Sequence, residues 1–201
     1  MAKEPLFLGL VFALLFAAES SSADHGKARS VDIRKFLNTS DVIWTYNTTA
    51  KERHICQMDM KKKLLAEEIY FTRHHLQSKR KWRARELHGQ FTIFFGTSEA
   101  GKDPYDTMDV QTTRSKSWVD RETLTYQSDD KTCGVFAVMN GGNGVSYDLR
   151  VKNSTIKTRP REDCMQEYFN HIEGKAKIRP VYDHRCQEKL RNHHPWFLSQ
   201  G

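Results

Sequence analysis

Between Val42 and Asn153 the chain runs through eight stretches rich in aromatic and β-branched residues, each long enough for one strand, with no helical pattern between them. They fall at about 42–49, 54–62, 67–75, 80–95, 106–113, 122–128, 131–139 and 144–153. Polar or glycine-bearing turns separate them, and Asn140-Gly-Gly-Asn-Gly144 joins two apolar stretches as a hairpin turn does. Eight strands with connections this short fold as an up-and-down barrel or a sandwich. The apolar period changes only near the end. From Pro160 to Gly174, with acids in the first turn, Met165, Tyr168, Phe169 and Ile172 fall on one face of a helix. Residues 32–39 make one or two further helical turns. A chain of 201 residues is large enough to bury a core of its own.

The first residues set the compartment. Lys3 precedes an unbroken apolar run from Leu6 to Ala18, and small or polar residues follow from Glu19 to Ala23. A run of 13 residues is too short for a bilayer, which takes about 20. With a basic start and small residues at its exit it reads as a secretory signal peptide, residues 1–22, cleaved between Ser20 and Ala23. Residues 23–201 then form a single secreted domain. The whole chain carries a net charge of +7, and removal of Lys3, Glu4 and Glu19 makes the product more basic. No second long apolar run follows, so no membrane association is expected. Three sequons, at Asn38, Asn47 and Asn153, fit export and are candidate glycosylation sites.

Cys56, Cys133, Cys164 and Cys186 sit, after export, in an oxidising compartment and should pair, in one of three ways. They show no Cys-x-x-Cys spacing and no interleaved histidine, so no metal site is expected. The adjacent pairs His74-His75 and His193-His194 read as solvated histidines.

The order of these features carries a resemblance. A signal peptide and a short helix lead to Leu37-Asn-Thr-Ser-Asp-Val-Ile-Trp-Thr-Tyr46. A cysteine then opens the second strand, Cys133-Gly-Val-Phe136 and Tyr147-Asp-Leu149 lie on later strands, and a cysteine-bearing helix and a last cysteine close the chain. In this the chain resembles the tick salivary lipocalins, the family of the histamine-binding proteins. The resemblance implies an all-β fold: an eight-stranded antiparallel lipocalin barrel, a C-terminal α-helix packed outside and a short N-terminal helix. It also implies the bridges Cys56–Cys186 and Cys133–Cys164, and a secreted, extracellular protein of saliva that holds a small host mediator and suppresses host inflammation or haemostasis.

A bridge from Cys133 to an outer helix would turn Val135, Ala137 and Met139 outward and Gly134, Phe136 and Val138 into the lumen, because side chains alternate along a strand. The next strand has two possible faces. A plain amphipathic reading puts Val145, Tyr147, Leu149 and Val151 inside. If the helix covers this strand too, that set lies beneath the helix, and Asp148 and Arg150 line the cavity. The resemblance favours the second, because amine-binding members carry a Cys-Asp-(Val/Ile/Leu) … Glu-Leu-(Trp/Tyr) … Cys motif. Here that frame reads Cys133-Gly134-Val135, Asp148-Leu149-Arg150 and Cys164, so one acid and one aromatic are lost and a guanidinium is gained. A lumen guanidinium suits a ligand carboxylate. The expected ligand is therefore a fatty acid or an eicosanoid such as a leukotriene, ahead of a biogenic amine such as histamine or serotonin.

Phe136, Tyr70, Phe91 and Phe95 complete the candidate ligand-binding set, with Trp44 more a plug at the barrel base than a ligand contact. The face of Asp59 is left open. The basic stretch from Lys79 to Arg85 reads first as a solvated edge strand. It is also the candidate surface for a glycosaminoglycan or a host plasma protein of complement or coagulation, and nucleic acid is not an expected partner. No nucleophile motif or phosphate loop is present, so no catalytic residue and no cofactor is expected, and the protein is expected to be a monomer.

Overall fold

The computed structural model describes residues 31–77, 81–94, 104–142, 144–157, 159–174 and 177–193. The strands are β1 (Ile43–Thr48), β2 (Ile55–Leu64), β3 (Glu68–Leu76), β4 (Trp82–Thr92), β5 (Thr107–Thr112), β6 (Trp118–Gln127), β7 (Cys133–Asn140) and β8 (Gly144–Lys152). Each pairs antiparallel with the next, and β1 pairs with both β8 and β2, which closes an eight-stranded barrel. A two-residue strand, β9 (Arg179–Pro180), adds to β1. The helices are α1 (Ile33–Leu37), α2 (Glu162–Ile172) and α3 (Arg185–His193). Residues 1–22, where a signal peptide is expected, and Phe95 and Lys79 lie outside the described residues.

Closing the barrel divides the apolar side chains into two cores. The inner one fills one end of the lumen with Ile69, Phe71, Leu87, Phe91, Met108, Leu124 and Phe136, stoppered by Ile33, Phe36 and Leu37 of α1. Asp32 caps α1 by accepting a hydrogen bond from the Lys35 amide, and the Ile33 amide donates to the Tyr105 carbonyl, which ties the stopper to the wall. The outer core lies between the barrel and the two later helices and contains Val135, Leu149, Val151, Cys164, Tyr168, Ile172, Cys186 and Leu190. Burial on both faces explains why β7 is apolar at successive positions. Cys164, Tyr168 and Ile172 make the buried stripe of α2 at four-residue spacing. Phe169, expected on that stripe, points away and is 43% exposed. Met139 and Val145 turn outward beyond the reach of the helix and are likewise exposed.

The two bridges are Cys56–Cys186 and Cys133–Cys164. The first anchors α3, a helix that the apolar pattern did not announce because, among its described side chains, Cys186 and Leu190, four residues apart, are the buried ones. Gly134 illustrates how closely the inner core is packed. A Cβ there would lie 2.9 Å from the Leu124 side chain and 2.9 Å from the Tyr126 carbonyl oxygen, and 3.1 Å from the Phe36 ring. Backbone cannot swing aside as a side chain does. Gly134→Ala is therefore expected to cost about 1–3 kcal/mol by overpacking, read from the urea midpoint. An unshifted midpoint would show that this approach is looser than described.

Candidate functional site

Successive inward positions along the strands divide the lumen into levels. On β3 they are Phe71, Arg73 and His75, on β4 Leu87, Arg85 and Arg83, on β6 Leu124, Glu122 and Asp120, and on β8 Arg150, Asp148 and Ser146. The apolar stopper thus gives way to a charged floor, and above the floor lies a cavity of about 550 Å3.

Six charged side chains form the floor. Glu122, fully buried, bridges two guanidiniums: Arg73 Nη2 at 2.7 Å and Arg150 Nη1 at 2.5 Å. Arg73 also grips Asp59 through two hydrogen bonds of 2.8 and 2.7 Å and approaches Asp120 at 3.5 Å. Arg150 donates to Asp148 at 3.0 Å, and its guanidinium lies 4.4 Å from the centre of the Phe136 ring, a cation–π contact. The other oxygen of Asp148 accepts from the Thr48 hydroxyl at 2.6 Å. Four carboxylates therefore face two guanidiniums.

The shortage of positive charge falls on Asp120. Its Oδ1 is buried without a hydrogen-bond partner. Burial, and next the charge of Glu122, push its carboxyl up to about 7. Glu122 shows the opposite outcome. Burial alone would raise it, but Arg150 and Arg73 outweigh that and hold it at about 2.

Above the floor, His54 and His75 stack with ring centres 3.9 Å apart. Burial, then His54 and the neighbouring arginines, lower His75 to about 4, so it is neutral at pH 7. Arg83, Arg85, Arg179 and Glu52 complete this rim.

Asp148 and Arg150 face the lumen, beneath which Phe136 supports the Arg150 guanidinium. Glu122 and Asp148 engage two of the three guanidinium nitrogens of Arg150, its Nε is left without a hydrogen-bond partner, and the residue is only 1% exposed. Phe91 lies deeper, in the stopper, stacked on Tyr105. Trp44 is not in the lumen. It packs in the outer core against Tyr182 and donates its indole N–H to Asn153. Tyr70 also faces outward, against His88 and Glu68, because its neighbours Ile69 and Phe71 take the inward positions. His74 is buried and His75 lines the cavity, so this pair is not solvated.

In the basic stretch, residues 82–85 of β4 pair with β3 alone, since pairing with β5 begins at Leu87, and Arg83, Ala84 and Arg85 are exposed: this part is a solvated edge, from which Arg83 and Arg85 also line the cavity rim. Among the sequons Asn38 is exposed, whereas Asn47 and Asn153 are half-buried and Asn153 accepts hydrogen bonds from Trp44 and Gln187.

The sequence pattern did not point to Asp120, Glu122 or Arg73, and it pointed to Arg85 only as part of a basic surface stretch. The signal was present on β6, where Asp120, Glu122 and Leu124 share a face. Starting that strand at Glu122 instead of Trp118 hid it.

Residues 22–188 match the model of the tick histamine binding protein family. The chain belongs to this family. A search of curated proteins by sequence found no match. Among solved structures the chain is similar to AM182 in its serotonin complex, at 18% identity and a TM-score of 0.58, covering 78% of this chain and 93% of that one. It is also similar to apocrustacyanin C2, at 7% identity and TM-score 0.52 over 77% and 83% of the two chains. The siderocalin Ex-FABP follows at 9% identity and TM-score 0.51, over 72% and 93%. At these identities the likeness is one of fold: a lipocalin barrel. Tick salivary lipocalins of this family bind small ligands and are not enzymes. No helix among the described residues is long and apolar enough to cross a membrane, and family and disulfides agree with export.

Proposed function

We propose that the barrel captures a small molecule bearing a basic nitrogen, and that Asp120 receives it. One observation carries this reading: four floor carboxylates are met by only two guanidiniums, and the carboxylate left short lines the cavity. An ammonium group loses its hydration on entering such a site and needs a carboxylate to offset that loss. The acid that the family motif carries at the position of Gly134 is here supplied by β6 instead. Captured in saliva, the ligand would be a mediator of the bitten host.

The sign of the pH dependence follows from Asp120. Its pKa is raised to about 7, so below that pH it is mostly protonated, and an arriving cation must displace the proton. Titration of secreted, disulfide-bonded protein with histamine and serotonin is expected to give one-to-one binding with proton release, seen as an enthalpy that depends on the buffer. Affinity should fall as the pH drops below about 7, and Asp120→Asn should weaken binding about ten-fold or more, the loss of a charge-assisted contact. Amine binding indifferent to Asp120→Asn would refute this assignment.

A fatty acid or eicosanoid, the ligand class favoured by the sequence alone, keeps one support. Arg85 lines the cavity and its side chain makes no hydrogen bond or ion pair with any described residue. Stoichiometric arachidonate binding without amine binding would favour that reading.

A further inference from the structure

The charges around the cavity are not mixed at random. The floor holds Asp59, Asp120, Glu122 and Asp148 against Arg73 and Arg150, an excess of acid. The rim holds Arg83, Arg85 and Arg179 against Glu52, an excess of base, with His54 and His75 between them. Low-dielectric walls focus such a gradient along the cavity axis.

The rim guanidiniums differ in what holds them. Arg83 donates to the Gln77 side chain, and Arg179 donates to the backbone carbonyls of His54 and Glu52. Arg85 has no such partner among the described residues. It stands directly opposite Arg73 in the β3–β4 register, and like charges so placed repel. Arg73 is answered by Asp59, Glu122 and Asp120, whereas the charge of Arg85 is answered by none of them. An anion seated at Arg85 would relieve that repulsion and would meet the rim at its least committed donor.

We propose that the ligand is amphoteric: a small molecule that places a basic nitrogen against Asp120 at the floor and an acidic group against Arg85 at the rim of the same cavity. This rests on the amine reading above and adds to it the second charge and the residue that reads it. A monoamine would satisfy the floor and leave the rim unanswered, and a simple fatty acid would do the reverse.

Length-matched probes separate the possibilities. We would titrate the secreted protein at low salt with 4-aminobutyrate, 6-aminohexanoate and 8-aminooctanoate, and with the alkylamine and alkanoate of each length. The best-spaced amino acid should bind about ten-fold or more tightly than its alkylamine or alkanoate, an energy typical of one added charge-assisted pair. Arg85→Gln should remove that advantage and tighten alkylamine binding by about two-fold, since a like charge is gone. Arg85→Lys should keep part of the advantage, which guards against a general disturbance of the rim. Alkylamines that bind as tightly as every amino acid, or an advantage that survives Arg85→Gln, would overturn the inference and leave the amine reading standing. Binding of alkanoates alone, or of no probe at millimolar concentration, would overturn both.

Discussion

Arg150→Met is expected to lower the stability of the protein by about 3–5 kcal/mol, the largest effect of any single substitution in the barrel. The number comes from what the variant leaves behind. Arg150 sits at the meeting point of Glu122 and Asp148, with Asp59 at 3.8 Å, and all of these are buried. Without it, Asp148 loses its ion-pair partner and Glu122 keeps only Arg73. The contribution of the ion pairs as such is smaller, because the cost of desolvating both partners largely cancels their attraction; the loss reflects orphaned charge. For that reason Arg150→Met combined with Glu122→Gln should recover a substantial part of it. The deficit should also narrow in acid. Glu122 has a folded pKa of about 2 against an ordinary 4.5, so the stability it contributes is present above about 4.5 and fades as the pH falls toward 2. Urea unfolding of both variants between pH 3 and 8 checks each statement, and an Arg150→Met deficit that stayed constant with pH would contradict the electrostatic account.

Removing the Cys56–Cys186 bridge by a double Cys→Ser substitution should cost about 4–5 kcal/mol in the loop-entropy picture, because it spans 130 residues. Its counterpart Cys133–Cys164 spans 31 and should cost about 3–4 kcal/mol. The larger loss has a local expression. Cys186 and Leu190 are the buried ones among the described side chains of α3, so cutting the bridge leaves this helix held mainly by Leu190 and by the Gln187 hydrogen bonds to Asn153 and Tyr182. Limited trypsin digestion should then cleave at Arg185, Lys189 or Arg191 before the barrel is attacked. If the shorter bridge proved the more costly to lose, native packing and not chain entropy would be setting the scale.

Much of this architecture can be read from pattern because its causes are local or covalent. Alternation and turn chemistry mark the eight strands to within a few residues, and proline, acids and apolar spacing mark α2. α3 escapes because a bridge anchors it, and a covalent anchor leaves almost no apolar stripe to see. Chain order alone carries the resemblance to the family, and with it the pairing of the cysteines. The site is less legible. The Cys133 bridge orients β7 but leaves the face of β8 open, and it is the resemblance to the family motif that favours Asp148 and Arg150 in the lumen. Trp44 reads as a plug at the barrel base and Tyr70 as a candidate lining residue, yet an aromatic side chain suits the outer face of this barrel as well as the inner one.

From the sequence come the strands and the family, since each is written in residues close to one another or in their order along the chain. Whether Arg150 is free is a different kind of fact. It depends on Glu122, Asp59 and Arg73, which come from three other strands and meet it only when β1 joins β8 to β2 and the sheet closes. A charge balance inside a barrel is a sum over strands distant in sequence, and only the closed fold performs it.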